Sequence, residues 1–199
     1  MDGTGTLDPL DVQSPLRTAV IVGSTREARS GGDIAAWVAR VLRARPEFTP
    51  ELVDLAAFDF PNRYPAEPTP EMIRFTEALD RAEGFVVVTP EYNRSYPASL
   101  KQAIDFGYDE WRAKPVGFTS YGTGETGVHA VEHLRTVFVE LQAVTMRNRV
   151  GLDLLTEDPA RLGGPHVERA ATAMLDQLRW WGLALREART RRPYRVWPR

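Results

Sequence analysis

Two loops carry the side chains whose types and spacing could do chemistry. The first spans residues 23–32 and sets Ser24, Arg26 and Ser30 just ahead of Gly31 and Gly32, where a helix begins. Glycines let backbone N–H groups approach an oxyanion, and a helix N-terminus adds partial positive charge. Arg26 can add charge-assisted hydrogen bonds, so this loop suits a phosphate. The neighbouring Arg29 is read as solvated. The second loop follows an apolar run at 85–88 and reads Pro90, Glu91, Tyr92, Asn93, Arg94, Ser95, Tyr96, Pro97. Its prolines fix φ and reduce the entropy lost on ordering, which suits a loop presenting backbone groups to a planar ligand. Asn93 offers both a donor and an acceptor. Either loop alone is an ordinary βα connection. Together they describe a phosphate at one strand and a ring at another.

Two further motif matches point elsewhere. Gly122, Gly124 and Gly127 form a literal G-x-G-x-x-G between a strand and a helix, the dinucleotide fingerprint. A dinucleotide half needs two more strands after that loop, and only one is expected. His129, Glu132 and His133 form a literal H-x-x-E-H, a zinc-protease motif. At 100° per residue both histidines lie opposite the apolar stripe of Val131, Leu134, Phe138 and Leu141. They are expected to be solvated or at an interface, with no metal.

The elements that hold these loops follow from periodicity. Strands are expected at 18–22, 51–55, 85–89, 116–120 and 143–150. Helices are expected over 34–42, from Pro70 to about 81, after Pro97, over 128–141 and over about 166–186. In the helix after Pro97, Leu100, Ile104, Tyr108 and Trp111 share one face. The run at 85–88 is too apolar for a half-exposed strand, so it belongs inside a sheet covered on both faces. Strands alternating with helices give right-handed crossovers and a parallel sheet. Five strands suit the doubly wound order 2-1-3-4-5, a flavodoxin-like three-layer α/β sandwich. In that order β1 and β3 open a crevice at their carboxyl ends, flanked by the two loops.

The second loop and the helix after it resemble the NADPH-dependent FMN reductase family, which includes quinone, azo-dye and chromate reductases. The family pattern P-E-Y-N-x-S-x-P, then L-K-N-A-[IL]-D, stands here as Pro90 to Pro97 and Leu100 to Asp105, with Gln102 the one departure. The resemblance extends forward to Gly23, Ser24, Thr25 and Arg26, and onward to Ser120, Tyr121 and Gly122. Glu125 and Thr126 stand where close relatives tend to be richer in glycine. The resemblance implies that FMN is the cofactor. Its phosphate would sit at Ser24, Arg26, Ser30, Gly31 and Gly32. Its ring would sit on the backbone of Pro90, Glu91, Tyr92, Asn93, Arg94 and Ser95, beside Ser120, Tyr121 and Gly122. Glu91 is expected to turn away into a salt bridge, because a carboxylate beside a flavin opposes reduction. The resemblance further implies hydride transfer from NADPH or NADH through FMN to quinones, azo compounds, flavin or similar acceptors, by ping-pong exchange. The cofactor carries that chemistry, so no catalytic acid, base or nucleophile is named. A homodimer or homotetramer is implied too. Aromatic residues near a helix end suit an interface core, so Tyr108 and Trp111 are read as interface candidates with the Tyr92–Tyr96 loop near the two-fold axis, the alternative being that Trp111 closes the chain's own core.

Composition narrows the rest. The chain has 199 residues, 43% of them apolar, and no cysteine, which excludes disulfides and thiolate chemistry. A net charge of −2 argues neither for nucleic acid nor for a strongly acidic electron carrier of the flavodoxin type, the alternative function. No apolar run approaches a membrane span, and the polar start is no secretory signal, so a cytoplasmic protein is expected. Residues 1–16 read as a flexible arm and 17–186 as the FMN-binding domain. Residues 187–199 read as a basic tail.

Overall fold

A computed structural model of the chain describes residues 14–194. Its strands are β1 (Leu16–Val22), β2 (Phe48–Asp54), β3 (Gly84–Pro90), β4 (Pro115–Gly122), β5 (Val144–Thr145) and β6 (Val150–Asp153). Its α-helices are α1 (Gly31–Arg43), α2 (Pro70–Arg81), α3 (Ala98–Phe106), α4 (Val128–Glu140) and α5 (Pro165–Arg191). All pairings are parallel, in the order β2-β1-β3-β4-β5, with β6 also on β4. The sheet is the doubly wound, flavodoxin-like one expected.

Every residue of β3 is buried, because both faces of the strand are covered. Phe85 and Val87 meet α2, α3 and α4 through Phe75, Leu79, Leu100, Ile104 and Phe138. Val86 and Val88 meet α1 and α5 through Ile34, Trp37, Val38, Met174 and Leu178. Helix α2 starts where Thr69 accepts from Met72 N, with Pro70 at the first helical position.

Three expectations need correction. The fifth strand is not continuous over 143–150. Its place on the β4 edge is taken by β5, opposite Pro115 and Val116, and β6, opposite Thr119–Gly122. Between them the carbonyls of Met146 and Arg147 accept from Arg135, and Asn148 N donates to Gln177. Those side-chain bonds replace the ladder there.

Helix α3 does not carry its face on to Trp111. It stops at Gly107, where an added Cβ would lie 2.7 Å from Leu79 Cδ1 and 2.8 Å from Trp111 Nε1. Only glycine allows that approach. The chain folds back through a 3-10 turn, and Trp111 ends wholly buried between Phe85 and Phe138, donating Nε1–H to Ile104 O at 3.1 Å. It belongs to the chain's own core and not to an interface.

The last helix also runs past its expected end near 186, since α5 continues to Arg191. Arg186 and Arg189 tie that last part of the helix to Glu83 and the Ala113 carbonyl. The remainder of the arm and tail expectations falls on residues 1–13 and 195–199, outside the described residues.

Candidate functional site

The carboxyl ends of β1, β3 and β4 are stitched together by main-chain bonds. Gly23 N donates to Val88 O at 2.8 Å, and Glu91 N donates to Tyr121 O at 3.1 Å. The loops at 23–32, 90–97 and 120–127 therefore share one rim, at the crevice where open α/β sheets bind ligands.

On the phosphate side the sequence places Ser24 at the end of an apolar strand, and the fold buries it to 1% exposure. Its hydroxyl meets Tyr92 Oη at 3.3 Å. Ser30 occupies the N-cap of α1 but makes no side-chain capping bond, so no side chain of its own claims the helix's first amides. Gly31 and Gly32 follow directly. Arg26 is exposed, lies 5.7 Å from the centre of the Tyr92 ring and forms no ion pair with a described residue. Arg29, read as solvated, instead pairs with Asp54 at the end of β2.

Tyr121 keeps its main chain against the ring loop, through the bond from Glu91 N to its carbonyl, while its side chain points elsewhere. Strand alternation sends it to the α1 face, where it is 5% exposed. A Cβ built on Gly31 would lie 2.8 Å from Tyr121 Oη, and that oxygen has no hydrogen-bond partner among the described residues. Burial pushes the phenol up to about 12, with the adjacent Ser24 hydroxyl, Arg29 and Arg26 opposing that rise and Tyr92 adding to it. It remains a protonated donor. A buried orphan hydroxyl, an uncapped helix start and a side-chain-free glycine fit a phosphate group.

On the ring side Tyr92 and Ser95 exchange both main-chain bonds, at 2.7 and 2.9 Å. Asn93 (φ 50°) and Arg94 (φ 65°) therefore occupy the centre of a tight hairpin in left-handed conformations, the signature of a type I′ turn. Asparagine tolerates that region, while arginine there costs roughly 1 kcal/mol. The exposed Asn93 makes no hydrogen bond with another described residue. Strain and unused polar capacity thus coincide in the segment expected to face the ring.

Glu91 enters no salt bridge with a described residue. Its Oε2 accepts from His129 N at 2.9 Å and Ala130 N at 3.3 Å, capping α4 from outside the helix. Ser120 is fully buried, and its hydroxyl donates to Thr126 O at 2.6 Å, so it shapes the third loop instead of facing the crevice. Gly122 ends β4, and its carbonyl accepts from Leu154 N. The G-x-G-x-x-G loop leads only to the short β5 and β6, both paired on β4.

The histidines face the ring loop. His129 Nε2 contacts Arg94 Nη1, and His133 Nδ1 lies 3.1 Å from Ser95 Oγ. Glu132 pairs with Arg135 rather than joining them. Glu91, Glu125 and His129 bring ligand atoms within 4.8 Å of one another, and the Arg94 guanidinium lies against that group.

Sequence reasoning missed two positioning residues. Arg149 donates to Ser120 Oγ (3.1 Å), Thr126 O (3.0 Å) and Thr126 Oγ1 (2.8 Å). Asp153 accepts from Gly124 N at 2.8 Å. Both fix the third loop. The available signal was Asp153 as a charged residue at the carboxyl end of an edge strand, beside the binding crevice, whereas Arg149 directly precedes that strand.

Comparison with known proteins agrees with this geometry. The family described as NADPH-dependent FMN reductase matches residues 16–155. An NAD(P)H-dependent FMN reductase from a Nectria species is 36% identical over 54% of this chain and 60% of its own length, so this chain spans less than two thirds of that relative. A 2-hydroxy-1,4-benzoquinone reductase from a Burkholderia species is 33% identical over 66% of this chain and 74% of its own length. Among solved structures, the flavoenzyme NAD(P)H:(acceptor) oxidoreductase from Paracoccus denitrificans superposes with a TM-score of 0.59. It is 20% identical and covers 86% of this chain and 96% of its own, a likeness of fold.

Proposed function

The chain belongs to the NADPH-dependent FMN reductase family, and on that footing we propose that it is an FMN-dependent oxidoreductase working in the cytoplasm. It takes a hydride from NADPH or NADH and passes electrons to a quinone, azo compound, flavin or similar acceptor. The observation that carries this reading is the rim of unused polar groups at β1, β3 and β4. The Tyr121 hydroxyl is buried without a partner among the described residues, the start of α1 has no side-chain cap, and the exposed Arg26 and Asn93 keep their polar groups free for a ligand.

When bound, FMN supplies the hydride acceptor and electron donor, and the protein supplies binding and orientation. Ser24, Arg26 and the first turn of α1 hold the phosphate. The Tyr92–Ser95 hairpin holds the ring edge, with Asn93 offering both hydrogen-bonding senses to it. Glu91 is spent on capping α4, so its charge does not oppose reduction of the ring. Arg149 and Asp153 keep the third loop in place. No side chain is assigned proton transfer.

A quinone stands first among acceptors because the Burkholderia relative is described as a benzoquinone reductase. A homodimer or homotetramer belongs to the same proposal. It rests on the family resemblance, now that Trp111 is accounted for by the core. Light scattering on the flavin-loaded protein tests it, and a strict monomer overturns it.

The deciding experiment is the visible spectrum of the purified protein, followed by NADPH and NADH oxidation with and without a quinone. A flavin spectrum with quinone-dependent turnover is expected. A flavin spectrum without NAD(P)H oxidation would instead favour an electron carrier.

A further inference from the structure

Building on the FMN reading above, we propose that the Tyr121 hydroxyl donates to the FMN phosphate and so helps select FMN over riboflavin. Tyr121 is the penultimate residue of β4, and its ring fills the layer shared with Val22, Ile34 and Val88. The hydroxyl at its far end reaches the start of α1 beside Gly31. A helix start presents N–H donors, and the helix offers the phenol no acceptor there. Ser24, the nearest hydroxyl-bearing neighbour, is engaged with Tyr92. The phenol is thus buried beside a hydroxyl already shared with Tyr92 and has no acceptor of its own among the described residues.

Such an arrangement costs stability in the free protein, since a buried donor without an acceptor forfeits its bond to water. Phenylalanine would fill the same space without that cost. The hydroxyl gains a partner once an acceptor with several oxygens and negative charge enters the same spot, which describes a phosphate monoester. Gly31 makes the approach of the hydroxyl to the helix start possible, because any side chain there would collide with the phenol. Arg26 stands outside this spot, exposed, and Tyr121 forms its inner wall. The two residues would hold one phosphate from opposite sides, one through charge and one through a buried hydrogen bond.

The test compares wild type with Tyr121→Phe, both as the full chain freed of flavin. FMN and riboflavin are titrated by quenching of flavin fluorescence, and the flavin-free proteins are melted with and without inorganic phosphate. We expect Tyr121→Phe to bind FMN about ten-fold more weakly, as for a lost hydrogen bond to a charged group, with riboflavin within two-fold. The flavin-free variant should melt at the same temperature as wild type or higher, and phosphate should raise its melting temperature less. Unchanged FMN binding overturns the proposal, as does equal weakening of both flavins. A lower melting temperature together with equal weakening would mark Tyr121 as merely structural, and so also overturns it. These failures leave the FMN reading standing where wild type still prefers FMN over riboflavin. A wild-type protein that binds neither flavin overturns both.

Discussion

At the amino end of the strands, Glu83 accepts from Arg186 Nε and Nη2 at 2.7 and 2.8 Å and from Arg17 N at 3.2 Å. At the carboxyl end, Tyr121 Oη is buried and has no hydrogen-bond partner among the described residues. The contrast extends to the cations. Below, Lys114 Nζ is bonded to the Leu79 and Asp80 carbonyls at 3.0 Å each, and Arg17 Nε to the Arg81 carbonyl at 2.7 Å. These bonds close off the last turn of α2, where cations also suit the helix dipole. Above, Arg26 lies against the face of an aromatic ring. One end of the sheet consumes its polar capacity in holding α2 and α5 to the strands. The other keeps it in reserve, at a cost in stability that a ligand can offset. Substitutions below should therefore damage folding and spare flavin affinity, and substitutions above should do the reverse.

The largest effect expected is from Glu83→Ala, which takes the carboxylate from a nearly buried pair, with side-chain exposures of 12% and 11%, and leaves the Arg186 guanidinium with the neutral acceptors at Ser14 and Pro15. Removing one partner of such a pair costs about 3 kcal/mol, measurable by chemical denaturation. FMN affinity of the folded variant should stay within two-fold. A large loss of FMN affinity at full stability would break the division between the two ends. Burial opposes the charge of Glu83, yet the Arg186 and Arg17 bonds outweigh it and hold its pKa below the usual carboxylate value. Its contribution is therefore complete above that usual value and fades as pH falls through the lowered one.

Arg26→Ala comes next and should act on the opposite side of the comparison. Losing a charge-assisted contact to a phosphate costs roughly 1.5–3 kcal/mol, about ten- to a hundred-fold in FMN affinity. Riboflavin should bind about as before, and the denaturation midpoint of the flavin-free protein should not move. If both flavins weaken equally, Arg26 is structural and the phosphate sits elsewhere.

Lys114 provides a smaller effect with a definite sign. Desolvation lowers its pKa from 10.5 to about 8, with Asp80 partly opposing the shift. Between those values the unfolded chain binds the proton and the folded one releases it, so this residue's contribution to stability rises with pH across that window. Compared with Lys114→Met, wild type should gain on the order of 1–2 kcal/mol between pH 8 and 10. Denaturation at a series of pH values measures the difference. Parallel pH profiles for the two proteins would mean that Lys114 does not titrate there.

What could be read from the sequence obeys the same division. The central strand was legible at 85–88 because burial on both faces leaves an unbroken apolar run, and the start of α2 was legible because Thr69 and Pro70 are a capping pair. The two crevice loops were legible from their glycines, hydroxyls and prolines. The stop of α3 was not, because the helical spacing of Ile104, Tyr108 and Trp111 continues straight through Gly107. That glycine acts by letting Leu79 and Trp111 close in from distant parts of the fold. The partners of Arg186 and Arg189, Glu83 and the Ala113 carbonyl, could not be read from the sequence because they lie far away in the chain. The role of Tyr121 was half legible. Alternation along β4 assigns it to the face of Gly117 and Thr119, away from Ser120, but the missing partner of its hydroxyl is visible only once the strands are assembled.

The smallest effect expected belongs to the pair whose spacing suggested the most chemistry. His129 and His133 touch Arg94 and Ser95 through side chains at the rim of the ring loop. The hairpin itself is closed by main-chain bonds between Tyr92 and Ser95, and Glu91 reaches the backbone of residues 129 and 130 rather than an imidazole. Removing both imidazoles leaves those bonds intact. Exposed polar contacts of this kind contribute roughly 0–1 kcal/mol. The double substitution His129→Ala/His133→Ala should therefore leave NAD(P)H-dependent quinone reduction within a few-fold, in the presence of a chelator as well as without it. The arrangement also argues against the zinc alternative on geometry. Glu132 is turned to Arg135, and the group formed by Glu91, Glu125 and His129 has the Arg94 guanidinium against it, so a divalent cation would have to displace a like charge. Activity lost in the double variant and restored to wild type by zinc after chelation would reverse this ranking, and would place a metal at the very rim that the comparison assigns to a flavin.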